Sequence, residues 1–212
     1  MPLFCSFQLE STLVMPARYK LSFTAGGLLY YESIVVAEAL NRAELDWDVA
    51  IEKVVAENLL QSRTASTTTR KLREVRQRLE LLNHEQLELL ISGTRQDQKL
   101  LLWLACCRRY QLLGEFAHEV LRGKFIELDI SIQHLDVERF FESKSLWHEE
   151  LDELARSTAT KLQTVLTRML RESGLVSESG IIQSPLMSRC LVDVLRTESL
   201  ENFNYFPLTL PE

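Results

Sequence analysis

The sequence predicts a mainly α-helical protein in which two helix-turn-helix-like modules surround a central buried helix. The C-terminal module is predicted to be winged with a small β-hairpin. Proline is absent between residues 17 and 184, so no helix there is interrupted by a residue without a backbone N–H. Glycine is also scarce, with 7 residues in 212. Residues 100–107 are apolar throughout, which is typical of a helix buried on all sides.

The chain is predicted to contain five segments. They are an irregular N-terminal tail, a first helix-turn-helix-like module, a central helix with its connector, a winged helix-turn-helix module and a second tail. These segments span residues 1–16, 17–94, 95–134, 135–200 and 201–212. A chain of 24.5 kDa is long enough for one large domain or two small ones.

Capping residues predict where the helices of the first half begin. Thr24 is expected to cap a helix over residues 25–41, and Asp46 a helix that ends at Leu60. A third helix is predicted over residues 67–82. Two further helices are expected to start at pairs of capping residues three positions apart, which are Asn83 with Gln86 and Thr94 with Asp97.

The second half is predicted to begin with a long helix over residues 95–122, and shorter helices follow. Asp136 is expected to cap the first short helix, and Ser157 or Thr158 the third. Gly180 between β-branched residues predicts a hairpin near residues 175–184. The short helices are predicted over residues 137–143, 148–156, 158–172 and 186–196.

Composition and charge exclude several classes of protein. A net charge of −6 and a pI of 5.4 exclude a globally basic nucleic-acid binder, but not a locally basic one. The first ten residues lack the positive region and the cleavage site of a signal peptide. The most apolar stretches, residues 34–40 and 100–107, are too short to span a bilayer. We therefore expect a cytoplasmic protein that does not bind membranes.

No motif predicts catalysis, a cofactor or a metal. The four cysteines include no CxxC pair, and Glu115 with His118 forms a lone ExxH without the second copy that a bundle metal site needs. Gly26 and Gly27 offer a phosphate cradle before an apolar helix, although a helix entry capped by Thr24 is the favoured interpretation. We therefore expect no enzymatic activity, no cofactor and no small-molecule substrate.

A repeat with an offset of 90 residues relates two of the predicted helices. Residues 67–79 and 157–169 share five identities, and Leu79 corresponds to Met169. The identical pairs are Thr68/Thr158, Lys71/Lys161, Leu72/Leu162, Val75/Val165 and Arg78/Arg168. In both copies a helix and a short polar turn precede the repeated helix. This is the layout of a helix-turn-helix unit, whose second helix enters the DNA major groove.

Basic residues are concentrated on these two helices. Residues 61–80 contain six basic and two acidic residues, and residues 156–171 contain four basic and no acidic residues. Clustered Lys and Arg favour nucleic-acid binding even when the whole chain is acidic. The alternative interpretation is a solvated helix face, which Glu–Arg pairs within residues 61–80 would favour.

Helical geometry predicts which side chains face DNA. When the apolar residues point inward, the first helix presents mainly cations, which suit phosphates. The second helix presents neutral hydrogen-bonding groups flanked by cations, which suit base edges. The predicted nucleic-acid-binding residues are Arg63, Arg70, Lys71, Arg73, Gln77, Thr158, Thr160, Lys161, Gln163, Thr164 and Arg168.

Several segments resemble a known family. They are residues 19–29 (YKLSFTAGGLL) with Glu32 and Ser33, 58–70 (NLLQSRTASTTTR), 101–120 (LLWLACCRRYQLLGEFAHEV) and 157–172 (STATKLQTVLTRMLRE). Over most of its length the chain is similar to BrxA of bacterial BREX phage-resistance systems. The resemblance implies a small, cytoplasmic, mainly helical protein that binds double-stranded DNA through helix-turn-helix-like modules. It also implies other BREX proteins as partners.

The leading hypothesis is a non-enzymatic, double-stranded DNA-binding accessory protein of a BREX antiviral defence system. One alternative is a scaffold whose degenerate helix-turn-helix units dock other defence subunits, which would suit the acidic remainder of the surface. The other alternative is RNA binding, because members of the family have been likened to a helical RNA-binding antitermination factor.

Overall fold

Helices make up most of residues 17–209, which are the residues that the computed structural model describes. The α-helices are α1 (Tyr30–Arg42), α2 (Trp47–Ala56), α3 (Ala65–Leu79), α4 (His84–Ser92), α5 (Arg95–Arg109), α6 (Gln111–Phe116), α7 (Gly123–Ile126), α8 (His134–Ser145), α9 (Glu149–Asp152), α10 (Arg156–Glu172) and α11 (Arg189–Glu198). The mainly α-helical prediction is confirmed. The tail predicted for residues 1–16 lies outside the described residues.

Three predicted helix starts are confirmed by their capping hydrogen bonds. The Asp46 carboxylate accepts hydrogen bonds from two backbone N–H groups in the first turn of α2. Asn83 and Gln86 form a reciprocal capping box at α4. The Thr94 hydroxyl oxygen accepts a hydrogen bond from the Asp97 N–H at 3.1 Å. Each cap satisfies N–H groups that have no partner inside the helix.

The predicted cap at Thr24 is wrong. Thr24 lies in a 3-10 helix, Ser22–Ala25, and α1 begins five residues further on. Leu29 precedes α1 in the left-handed conformation, with φ 55°, and provides no side-chain cap. The backbone between the two helices is instead held by α3, because Arg78 donates hydrogen bonds to the carbonyls of Gly27 and Leu28.

Two predicted caps in the second half are also wrong. Asp136 lies inside α8, at its third residue, where its carboxylate accepts a hydrogen bond from the Gln133 N–H at 2.7 Å. Helix α10 begins before both Ser157 and Thr158, and the residue at its N-cap, Ala155, makes no side-chain cap.

Helix α5 is the buried centre of the molecule, as predicted. Residues 100–107 are all at most 2% exposed, and the Trp103 indole N–H donates a hydrogen bond to the Tyr205 carbonyl at 2.9 Å. The predicted continuous helix over 95–122 is broken at Tyr110, whose backbone is extended. The buried Tyr110 hydroxyl donates a hydrogen bond to Glu74 of α3. Helix α6, the π-helical turn Ala117–Arg122 and α7 follow this break.

The predicted wing is not confirmed. Two isolated antiparallel bridges, Ser131 with Ile181 and Val176 with Ile182, are the only β pairings within residues 17–209. Gly180 turns the chain with a positive φ of 85°, and a Cβ atom there would lie 2.8 Å from the Ile132 carbonyl oxygen. The segment therefore folds back on itself without forming a strand.

The C-terminal residues pack against the rest of the molecule. Residues 200–205, placed largely in a tail by the sequence, form a 3-10 helix with Phe203 buried. The buried apolar side chains form one core that includes residues of both predicted modules, and the division into modules stays a prediction. No helix in the described part of the chain is both long and apolar enough to cross a membrane.

Candidate nucleic-acid interface

The predicted residues of the first basic region differ in how far they reach the surface. Arg63, before α3, and Arg70 and Arg73, on α3, are exposed. Lys71 is half-buried and forms an ion pair with Glu32 of α1 at 2.7 Å. Gln77 is half-buried, and its side-chain oxygen accepts a hydrogen bond from Arg109 at 2.6 Å. Arg70 and Arg73 are therefore the cations of α3 most available to a ligand.

The predicted residues of α10 are exposed along most of one face. They are Thr158, Thr160, Lys161, Thr164 and Arg168, with Gln163 half-buried. The Thr160 hydroxyl donates to the Arg156 carbonyl at 3.0 Å, and the Thr164 hydroxyl donates to the Thr160 carbonyl at 2.8 Å. In this arrangement both hydroxyls offer only their oxygen lone pairs to a ligand.

Helices α3 and α10 meet at one surface pocket, although 76 residues separate them in sequence. The 3-10 helix Ser22–Ala25 lies between them and contacts both. The pocket has a volume of about 410 Å³, and we call it the α3–α10 pocket. Its lining consists of Ser22, Thr24, Arg70, Arg73, Glu74, Gln77, Arg109 and Lys161.

One further cavity adjoins this pocket, and a second adjoins that cavity. The first shares Thr24 and Lys161 with the pocket and also contains Thr160, Thr164 and Arg168 of α10. The second shares Arg168 with the first and is lined by further cations. Those cations are Lys71, Arg95 and Lys99. A concave surface rich in cations therefore continues from α3 past the N-terminal 3-10 helix to α10 and the start of α5.

Most cations of this surface lack a carboxylate partner among residues 17–209. The paired ones are Lys71 and Arg168, the latter 3.7 Å from the half-buried Glu172. The unpaired ones are Arg70, Arg73, Arg95, Lys99, Arg109 and Lys161. The alternative interpretation, a solvated helix face with Glu–Arg pairs, applies elsewhere on α3, where Arg76 pairs with Glu80 at 2.7 Å. The three cavities are lined by eight cations and three carboxylates, Glu32, Glu74 and Glu172, so the surface carries an excess of positive charge.

A buried network fixes the floor of the pocket. Arg78 is 1% exposed, and its Nε lies 2.8 Å from Glu74 Oε1. Burial and the hydrogen bond to Glu74 raise the pKa of Tyr110 to about 12. The Glu172 carboxylate accepts the Leu28 N–H at 2.5 Å. A carboxylate therefore binds the loop after Gly26 and Gly27 that the sequence offered as a phosphate cradle.

The neutral residues of α10 face a cleft. Gln163, Thr164 and Thr167 line a cavity of about 600 Å³ together with the start of α8 and the turn around Glu178. A nucleic acid that used Gln163 or Thr167 would therefore have to enter the cleft, whereas Thr164 also lines the cavity next to the α3–α10 pocket.

Sequence reasoning missed Arg95, Lys99 and Arg109, all on α5. The available signal was their position on either side of the apolar run 100–107, because charged side chains that flank a buried segment must extend to the surface. Arg109 lies over the Tyr110 ring, with 5.8 Å between the guanidinium carbon and the ring centroid. The Glu115 carboxylate of the lone ExxH pairs with Lys144 at 2.6 Å and accepts a hydrogen bond from Tyr19.

Comparison with known proteins identifies the family. The BrxA family model matches residues 17–199. The chain belongs to the BrxA family. A relative from Bacillus cereus (strain H3081.97), named BREX protein BrxA, is 28% identical over 181 residues, covering 84% of this chain and 90% of the relative.

A second relative agrees with this membership, and a solved structure has a similar fold. A protein of the same name from Paramagnetospirillum magneticum (strain ATCC 700264 / AMB-1) is 29% identical over 164 residues, covering 76% of this chain and 81% of the relative. The crystal structure of an uncharacterized protein from Magnetospirillum magneticum has a TM-score of 0.75 at 24% identity. The match covers 89% of this chain and 97% of that one, and it shows that the two proteins share a fold.

Proposed function

We propose that this BrxA family protein is a non-enzymatic accessory protein of a BREX defence system and that it binds double-stranded DNA. Its family and its relatives named BREX protein BrxA support the defence role. One observation carries the DNA-binding role: α3 and α10 share a concave surface whose cations are largely unpaired. Such cations neutralise phosphates and release counterions, which is the main source of affinity for nucleic acids.

The two helices would contribute differently to binding. Arg70 and Arg73 are exposed guanidinium groups that suit phosphates, which position a duplex without reading its sequence. The Thr160 and Thr164 hydroxyls already donate within α10, so they can accept hydrogen bonds from the amino groups of adenine or cytosine. Gln163 provides both a donor and an acceptor. Sequence preference would therefore come from α10, and general affinity from α3.

The interpretation of α10 as a recognition helix favours duplex DNA over duplex RNA. A recognition helix fits the wide major groove of B-form DNA. The major groove of A-form RNA is too deep and narrow for side chains to read. Other BREX proteins are the further partners that we propose, through the remaining surface.

The test is fluorescence anisotropy of purified protein with duplex DNA and duplex RNA of the same sequence at low salt. Arg70→Glu/Arg73→Glu should weaken binding to all DNA duplexes alike. The matched control is Arg189→Glu/Arg196→Glu on α11, because these two exposed arginines undergo the same charge change but line none of the three cavities. Equal binding by both double variants would refute the role of α3, and tighter binding to RNA would refute the preference for DNA.

A protein-docking scaffold is the second candidate function, and exposed apolar side chains favour it. Leu128, Leu146 and Trp147 are 84%, 77% and 69% exposed. Leu146→Ser/Trp147→Ser should then abolish co-elution with purified BREX proteins while leaving duplex binding intact. Unchanged co-elution would exclude this surface from docking.

A further inference from the structure

The α3–α10 pocket gathers four cations from three separate helices. Arg70 and Arg73 come from α3, Arg109 from the end of α5 and Lys161 from α10. The pocket contains one carboxylate, Glu74, which is buried and already bonded to Arg78 and Tyr110. The pocket therefore holds more positive charge than its own residues neutralise.

Arg109 is held in place before any ligand arrives. Its Nη2 donates a hydrogen bond to Gln77 Oε1 at 2.6 Å, and its guanidinium group lies over the Tyr110 ring. Its Nε atom is buried without a hydrogen-bond partner in the described part of the chain. A donor removed from water and left unpaired is costly, and a nearby negative charge offsets that cost. A guanidinium group fixed on two sides also loses little side-chain entropy when it binds an oxyanion.

The geometry points to the α3–α10 pocket as a phosphate-binding site, with Arg109 and Lys161 as phosphate ligands. This inference rests on the proposed function, because it assigns the phosphate to the backbone of the bound duplex. Like charges that face one concavity repel each other. A phosphate between them reduces this repulsion, and its oxygens accept charge-assisted hydrogen bonds from the cations. Lys161 would then join the two recognition-type helices on one duplex, because it also lines the cavity next to the pocket.

The first experiment measures duplex binding over a salt series for Arg109→Gln and Lys161→Gln, with Arg196→Gln as the control. Each pocket variant should bind roughly tenfold more weakly at low salt, as expected for the loss of one charge-assisted hydrogen bond. Each should also flatten the slope of log affinity against log salt by about 0.9. Lys161 is exposed and has no ion pair in the described residues, so Lys161→Gln tests the site even when Arg109→Gln fails to fold.

The second experiment uses inorganic pyrophosphate at constant ionic strength. It should raise the Tm of the wild type and of Arg196→Gln, raise it less in the pocket variants, and displace duplex from the wild type. Equal shifts in all four proteins, or stabilisation without displacement of the duplex, would overturn the assignment. Normal duplex binding by folded Lys161→Gln would also overturn it. If Lys161→Gln binds duplex normally but Arg70→Glu/Arg73→Glu binds poorly, only the pocket assignment fails. If both variants bind normally, the proposed function fails as well.

Discussion

Replacing Arg78 by Met tests whether the floor of the α3–α10 pocket is held by a buried ion pair. The Arg78 side chain is 1% exposed, pairs with Glu74 at 2.8 Å and donates hydrogen bonds to the carbonyls of Gly27 and Leu28. Its removal leaves a buried carboxylate unpaired and two carbonyls without this donor. The loss of one partner of a buried pair costs about 3–5 kcal/mol of unfolding free energy.

Arg76→Met is the matched control on the same helix. Arg76 also pairs with a glutamate four positions away, Glu80, but its side chain is 36% exposed. Water screens such a pair, so its loss should cost much less than the loss of Arg78. Urea unfolding followed by circular dichroism gives both values. A cost below about 1 kcal/mol for Arg78→Met, or equal costs for the two variants, would refute the reasoning. Adding Glu74→Leu to Arg78→Met should recover part of the loss, because no unpaired charge then stays buried.

Three further predictions concern the core, the pH dependence of stability and the reading of sequence. Trp103→Ala should cost roughly 3–5 kcal/mol in the same unfolding assay, and a value below about 1 kcal/mol would contradict a central position for α5. Because the pKa of Tyr110 is raised from 10.0 to about 12, the folded state keeps its proton where the unfolded state loses it. Stability should therefore fall as pH rises through that interval, and less so in Tyr110→Phe; an identical fall in both proteins would contradict this. Gln163→Ala or Thr164→Ala should change the preference among duplex sequences in competition assays, with little change in the salt slope, because both groups are neutral.

Several features that depend on neighbouring residues were predictable from sequence, although the caps at Thr24, Asp136 and Ser157 or Thr158 were not. The caps at Asp46 and Asn83 follow from a side chain and the N–H groups two or three positions later. The burial of α5 follows from an apolar run that leaves no face for water. The 90-residue repeat correctly placed Leu72 and Leu162 on buried faces, because helical spacing alone determines which residues share a face.

Features that depend on distant contacts were not predictable in this way. Arg78 and Arg168 occupy the same position in the repeat, yet Arg78 is buried against Glu74 and Arg168 is exposed beside Glu172. The difference comes from the segment after the 3-10 helix. The carbonyls of Gly27 and Leu28 in that segment accept hydrogen bonds from Arg78 but not from Arg168. The inclusion of Arg109 in the α3–α10 pocket likewise depends on how α5 packs against α3.

The salt dependence of duplex binding by Arg70→Glu/Arg73→Glu tests the central claim most directly. Each phosphate contact contributes about 0.9 to the slope of log affinity against log salt. The loss of two contacts should therefore flatten that slope by about 1.8, for every duplex sequence alike. Both residues are exposed, so the Tm of the variant should stay close to that of the wild type. A folded variant that binds as tightly as the wild type, with an unchanged slope, would show that α3 does not contact DNA.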